Sequence, residues 1–104
     1  MNKRLKDYQE KLIIDLQDPK ETQSYLNAAL MDEDPRVFLL ALKNVIEAKN
    51  MGMSELAKET NLNRENLYRM FSPKGNPKIS SIIPVLNTLG LQLAIQTYSH
   101  KNHK

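Results

Sequence analysis

The chain has 104 residues, enough for one compact domain with an accessory segment but too few for two full domains. Hydrophobic residues make up 40% and aromatic residues 6%, so the predicted core is aliphatic. The sequence has no cysteine, which excludes a disulfide framework, a zinc-thiolate site and a thiol nucleophile. No apolar run approaches the roughly 18 residues of a membrane span, and no apolar signal core follows the basic first residues, so we expect a cytoplasmic protein.

The net charge of +3 conceals an uneven distribution along the chain. Residues 1–34 carry five basic and eight acidic side chains, whereas residues 35–104 carry ten basic and four acidic ones. No acidic residue follows Glu65. The basic region suggests a polyanionic partner, but the same charges also suit a solubilising surface with a basic tail. Charge alone leaves both interpretations open.

Two amphipathic helices are predicted in the first third of the chain. Apolar residues recur every three or four positions through residues 4–17, which is typical of a helix with one buried face. Asp18-Pro19 ends that helix and begins the next, over residues 19–31, because proline fits a first helical turn. The acidic run at residues 32–34 is a break, and its Asp34 is a suitable N-cap for a third helix.

The central part of the chain predicts one long helix followed by two short ones. The long helix covers residues 35–50 and ends at Asn50-Met51-Gly52, where asparagine or glycine suits a left-handed closing residue. The short helices cover residues 53–60 and 64–71. Between them is a three-residue turn in which Asn61 adopts positive φ, Leu62 points inward and Asn63 caps the second short helix.

The remaining predicted elements are a loop, a helix and a strand. Residues 72–77 form the loop, and the stripe from Ile79 to Leu89 forms a helix that ends at Gly90. Pro84 conflicts with that helix: an N-cap at Ser80 or Ser81 makes its cost one backbone bond or none, whereas a helix start near Lys78 predicts a kink.

The last predicted element is a strand, because apolar and polar residues alternate from Leu91 to Tyr98 with Leu91, Leu93 and Ile95 on one side. A lone strand leaves backbone groups unpaired, so we expect Leu91, Leu93 and Ile95 to form the interface of a two-fold homodimer. The alternative is a partner protein that pairs with the same edge. His100 to Lys104 is predicted to be a frayed tail.

Residues 53–71, MSELAKETNLNRENLYRMF, resemble the helix-turn-helix of the lambda-repressor/Cro-type (XRE) superfamily. Leu56, Ala57 and Leu67 have the spacing that packs two short helices together. The resemblance continues through Gly75-Asn76-Pro77 and covers roughly residues 36–90. It implies an all-α, five-helix-type bundle at residues 35–90, with an N-terminal helical extension at residues 1–34 and the strand and basic tail at residues 91–104.

A short helix after a tight turn is presented outward, so its first residues can enter a DNA major groove about 12 Å wide. Arginine pairs with guanine, asparagine with adenine, and glutamate accepts from cytosine. The resemblance implies that Arg64, Glu65 and Arg69 contact bases and that the loop after this helix contacts the DNA backbone. The complete set of expected DNA-binding residues is Asn63, Arg64, Glu65, Asn66, Tyr68, Arg69, Lys74, Asn76 and Lys78.

Each of these residues also has an ordinary structural interpretation. Glu65 and Arg69 have the spacing of an ion pair on a solvated helix face. Tyr68 suits packing as well as DNA contact, and the two lysines suit a soluble loop. Met53 stands where the superfamily often has a glutamine that meets a phosphate, so the side-chain contact is lost there, although backbone N–H groups remain.

A narrower resemblance covers nearly the whole chain. Residues 8–19 (YQEKLIIDLQDP), 25–30 (YLNAAL) and Asp34-Pro35 are similar to the N-terminal extension of addiction-module antidote proteins, which are HigA-like antitoxins. Glu65-Asn-Leu-Tyr68 and Gly90-Leu-Gln-Leu93 are similar to later parts of the same family. The resemblance implies that the protein neutralises a basic RelE/HigB-like ribonuclease toxin and represses the shared operon.

The acidic N-terminal region suits contact with a basic toxin, but its helices also suit a simple cap on the core. No residue is therefore assigned to toxin contact. The competing hypotheses are a stand-alone XRE-type repressor and an interaction module without DNA binding. An enzyme is disfavoured, since the sequence has no glycine-rich phosphate loop and both histidines, His100 and His103, lie in the tail. We expect no cofactor, no metal and a homodimer on palindromic DNA.

Overall fold

The computed structural model describes residues 3–99, and every regular element within that range is a helix. The elements are α1 (Lys3–Asp15), α2 (Pro19–Leu30), α3 (Pro35–Ala48), α4 (Met53–Thr60), α5 (Arg64–Met70) and α6 (Ile79–Thr88). Each predicted helix is present, with ends within two residues of the prediction. Residues 35–90 hold four helices, one fewer than the five-helix type. None of the described helices has the length and apolar character needed to cross a membrane.

Aspartate caps begin α2 and α3, and the cap at Asp34 is the predicted one. The side chain of Asp18 accepts a hydrogen bond from the backbone N–H of Lys20 at 2.9 Å, and Asp34 accepts from that of Arg36 at 2.9 Å. Each cap precedes a proline in the first helical turn, where no backbone donor is needed. The Arg36 guanidinium also bonds to Asp34 and holds the pKa of that exposed carboxyl below its usual value.

Three helices end through left-handed residues. Asn50 has φ 58° after α3, Asn61 has φ 64° after α4, and Gly90 has φ 81° after α6. In each case the next residue donates its N–H back to the end of the helix: Met51 to Ile46 at 3.3 Å, Leu62 to Ala57 at 3.2 Å and Leu91 to Leu86 at 2.8 Å. These bonds satisfy carbonyls that the helix ends leave unpaired.

The helices share one aliphatic core. Helix α3 packs against both α1 and α2, and α4 packs against both α5 and α6. The side chains with at most 2% exposure come from five of the six helices and from the α1–α2 connection: Leu16, Thr22, Leu42, Val45, Ile46, Leu56, Leu67 and Val85. Because Leu16, Leu26 and Ala29 belong to the same cluster, the N-terminal helices are part of this core.

Polar ties fix the N-terminal helices on α3. The Asn44 amide donates to the Tyr25 hydroxyl at 2.8 Å, which joins α3 to α2. The Gln17 amide, just beyond α1, donates to the carbonyl of Ala48 at the end of α3. The buried Thr22 hydroxyl donates to the carbonyl of Leu16 at 2.9 Å. These bonds pair the polar groups that the packing removes from water.

The predicted C-terminal β-strand is wrong. Residues 91–99 have no regular secondary structure, and no strand occurs among the described residues for them to pair with. Alternation of apolar and polar residues predicts only that successive side chains point to opposite sides. A strand also needs a second strand to pair with its backbone N–H and C=O groups, and the described residues contain none. The predicted pairing of this strand with its copy in a dimer is therefore wrong as well.

Helix α6 settles the position of Pro84. The N-cap is Lys78 and the helix begins at Ile79, so the alternative N-cap at Ser80 or Ser81 is wrong. Pro84 therefore lies inside the helix, where it has no N–H for the carbonyl of Ser80. The kink at this position stays a prediction.

Candidate nucleic-acid interface

The connection from α4 to α5 is a tight turn fixed by its own side chains. Asn61 has φ 64° and ψ 24°, the left-handed conformation that asparagine tolerates. The buried Thr60 hydroxyl donates to the carbonyl of Leu56 at 2.7 Å. Leu62 packs against the core, and the Asn63 side chain accepts from the N–H of Glu65 at 2.7 Å. Three residues thus connect the two helices and start α5 in a defined conformation.

Helix α5 divides into a buried edge and a wide exposed arc. Leu67 and Met70 are 1% and 4% exposed and pack into the core. The other five side chains lie on the remaining arc of the helix and are all exposed: Arg64, Glu65, Asn66, Tyr68 and Arg69. The whole arc is therefore accessible, and its side chains are polar apart from the ring of Tyr68, which is 54% exposed.

Side chains on this arc support one another. The Arg64 guanidinium lies 5.8 Å from the centroid of the Tyr68 ring, within the range of a cation–π contact. The Arg69 guanidinium donates to the side-chain oxygen of Asn66 at 3.2 Å. Glu65 and Arg69, both described, do not form the ion pair that their spacing allowed. The two arginines are instead held by neutral groups, so their charges stay available to an anionic ligand.

The loop after α5 folds back onto the end of that helix. The Ser72 hydroxyl donates to the carbonyl of Arg69 at 2.7 Å, and the Gly75 N–H donates to the carbonyl of Ser72 at 2.9 Å. A Cβ on Gly75 would overlap the carbonyl oxygens of Arg69 and Met70. Glycine is thus required because the backbone approaches α5 too closely for any side chain.

This loop carries three further residues of the predicted DNA-binding set, Lys74, Asn76 and Lys78, and all three are exposed. Residues 63–78 thereby present four cationic side chains against one acidic one, Glu65. Such a surface attracts a polyanion.

The remaining predicted residues lie apart from this surface or outside the described range. Met53 is partly buried against the core, so its side chain serves packing. Leu91 also packs against the core, whereas Leu93 is 43% and Ile95 fully exposed. His100 and His103 lie outside the described residues. Within residues 3–99, no three histidine, aspartate or glutamate side chains group as metal ligands.

The structure also forms an open groove that the sequence did not predict. Its walls come from the end of α2, the start of α3, the loop after α5, and α6, and it encloses about 340 Å³. Apolar Leu30, Phe38 and Ile82 line it together with the exposed acids Asp32 and Glu33. No local pattern brings residues near 30 beside residues near 80, so only the packing reveals it.

Comparisons with known proteins cover almost the whole chain. A family model described as "Probable addiction module antidote protein" matches residues 8–97. An uncharacterized protein of Haemophilus influenzae is 33% identical over 96 residues, which span 92% of this chain and 95% of that protein. No solved structure gives a significant match. The chain therefore belongs to the addiction-module antidote family.

Proposed function

We propose that the protein is the antitoxin of a type II toxin–antitoxin pair, which neutralises a RelE/HigB-like toxin and represses its own operon by sequence-specific DNA binding. Membership of the antidote family carries the first part of the proposal. The exposed, cationic arc of α5 and the loop after it support the second part. The role proposed is thus binding and regulation.

In the proposed DNA complex, α5 enters the major groove with its exposed arc toward the bases. Arginine side chains such as Arg64 and Arg69 can pair bidentately with guanine, and a glutamate such as Glu65 can accept from cytosine. Asn63 uses its side-chain oxygen for the cap, which leaves its amide donors for a base or phosphate. Lys74 and Lys78 flank this helix on the tethered loop, where they would neutralise phosphates and fix the register.

The proposal includes a dimer on a palindromic operator, since two recognition helices one DNA turn apart extend the sequence that is read. The exposed side chains of Leu93 and Ile95 support an interface near the end of the described chain. Leu91 supports it less, because its side chain is already packed in its own core. Light scattering that detects only monomer at high protein concentration would contradict the dimer.

A gel-shift titration with the upstream promoter fragment, repeated over a salt series, tests the DNA-binding part. Specific binding should weaken steeply with salt because bound phosphates release counterions. Arg64→Ala should cost roughly 1–3 kcal/mol of binding and relax base choice at one position. Lys74→Ala should weaken binding to all sequences and reduce the salt slope by about 1. Lys20→Ala, an exposed lysine on α2, is the matched control and should bind as the unchanged protein does.

Co-expression with the small protein encoded by the neighbouring reading frame tests the antitoxin part. The chain should restore growth to cells that produce that protein and should copurify with it. If it copurifies but shifts no promoter fragment even at low salt, the protein is an interaction module without DNA binding. If it shifts the promoter but neither binds nor neutralises the neighbour, it is a stand-alone repressor.

A further inference from the structure

The groove between α2, α3 and α6 combines apolar walls with an uncompensated negative charge. Leu30 is 54% exposed at its edge, while Phe38 is buried below. Its volume of about 340 Å³ is near the lower end of the roughly 300–1,000 Å³ typical of binding clefts. A space of this size suits a few side chains from one partner segment.

The charges around the groove are not balanced. Arg36, the cation that lines it, is paired with Asp34 through contacts of 2.9 Å to 3.2 Å. This pairing raises the pKa of Arg36, and the charge of Arg36 is balanced by that of Asp34. The Asp32 carboxylate accepts a hydrogen bond from the backbone N–H of Asp34 at 2.8 Å. No cationic side chain pairs with it among the described residues. Together with Glu33, Asp32 gives the groove a local excess of two negative charges in a protein whose net charge is positive.

We infer that this groove holds a segment of the cognate toxin in which an apolar side chain lies beside a lysine or arginine. The inference rests on the proposed antitoxin function and names the surface that carries it out. Charge complementarity argues for the basic occupant, and the apolar walls argue for burial of an aliphatic or aromatic anchor. DNA does not fit the groove, because its phosphates would meet Asp32 and Glu33.

A second copy of this chain is a poorer occupant than the toxin. The exposed apolar residues of its C-terminal segment, Leu93 and Ile95, have no lysine or arginine beside them within residues 91–99, so that segment does not match the charge of the groove. The groove also reaches Asn76, a member of the candidate DNA-binding loop. The toxin-binding groove and the DNA-binding surface are therefore neighbours that meet at this loop, but they differ in charge.

Two substitutions on the groove and two matched controls test the inference. Leu30→Glu places a charge at the apolar edge, and Leu40→Glu makes the same change at a 62% exposed leucine of α3 that does not line the groove. Glu33→Lys reverses a groove charge, and Glu21→Lys reverses an exposed charge of α2 away from it. All four positions are on the surface, so the fold should be kept, which thermal unfolding followed by circular dichroism would verify.

Isothermal titration of each full-length variant with the purified protein from the neighbouring reading frame gives the readout. Leu30→Glu and Glu33→Lys should weaken binding about tenfold or more, and the two controls should change it less than about twofold. All four should bind the promoter fragment as the unchanged protein does. If Leu30→Glu proves unstable, Glu33→Lys against Glu21→Lys decides the question by itself.

The outcomes separate this inference from the proposed function. If the unchanged protein binds the neighbour and all four variants bind it equally well, the groove is not the toxin site, although the antitoxin function stands. If the groove variants change only the oligomeric state in light scattering, the groove binds a second copy of the chain. If they lose only promoter binding, the groove binds DNA. Either result overturns the inference. If the unchanged protein does not bind the neighbour at all, the proposed function fails and the inference fails with it.

Discussion

The α1–α2 pair and the α4–α5 pair are built with the same device but present different surfaces. Each pair is joined by three residues, and each connection ends in an Asp or Asn side chain that caps the second helix, Asp18 in one and Asn63 in the other. Helix α1 exposes three large apolar side chains, Leu5, Tyr8 and Ile14, together with charges of both signs, whereas α5 exposes one such side chain, Tyr68, beside polar and cationic ones. The capped turn fixes the position of a helix, and the side chains that the helix exposes to solvent determine which kind of partner it can bind.

The first helices of the two pairs differ in how firmly they are held, although α2 buries Thr22, Leu26 and Ala29. No residue within α1 is buried, and the first fully buried side chain near it is Leu16 in the connection. In the α4–α5 pair, Leu56, Thr60 and Leu67 are buried within the helices themselves. The proposed DNA-binding role requires α5 to be fixed in orientation, and this burial supplies the constraint.

The largest expected effect tests that difference in anchoring. Leu56→Ala removes a side chain with 0% exposure and should lower the free energy of unfolding by about 2–5 kcal/mol. Leu5→Ala, at a leucine of α1 that is 62% exposed, should change it by less than about 0.5 kcal/mol. Urea unfolding followed by circular dichroism measures both. Equal losses would show that α1 is held as firmly as α4.

The next effect concerns the loop that closes against α5. Gly75→Ala forces a Cβ onto the carbonyls of Arg69 and Met70 and should destabilise the fold by about 1–3 kcal/mol. Because Lys74 moves with the loop, promoter binding should weaken as well. Gly52→Ala is the control, since a Cβ there meets nothing within 4 Å. A Gly75→Ala protein with unchanged stability would mean that the loop shifts without strain.

A smaller effect separates the cap of α5 from its ligand contact. Asn63→Ala removes the hydrogen bond to the N–H of Glu65 and should cost about 1 kcal/mol of stability. Asn63→Asp keeps a good cap, so stability should be retained while promoter binding weakens through repulsion from phosphate. Chemical unfolding and gel shift on the same two variants distinguish the roles. Undiminished DNA binding by Asn63→Asp would limit Asn63 to the cap.

The smallest expected effect concerns the support of Arg64. Tyr68→Leu removes the ring beneath the guanidinium and should weaken promoter binding by about 0.5–1 kcal/mol, the range for exposed cation–π contacts. Tyr68→Phe keeps the ring and should bind nearly as well as the unchanged protein. Combination with Arg64→Ala in a double-mutant cycle tests the coupling. Additive losses would show that Tyr68 acts separately from Arg64.

Local chemistry along the chain determined most of the helical framework. Asp34 caps the helix that it was predicted to cap, and Asn61 adopts the left-handed conformation that was predicted for the three-residue turn. These features depend on neighbours within four residues, so they can be inferred from sequence. The spacing of Leu67 from Leu56 and Ala57 likewise identified a buried side of α5, which the structure confirms for Leu67.

Tertiary structure decided what no local pattern could. The alternation from Leu91 to Tyr98 predicted a strand, but strand formation depends on a pairing partner elsewhere, and none is present within residues 3–99. The contact between Arg64 and Tyr68 has a helical spacing that allowed it, yet only the packed helix shows that both side chains lie on the exposed arc. The acidic groove exists because packing brings the end of α2 beside α6, and sequence periodicity carries no information about such distant neighbours.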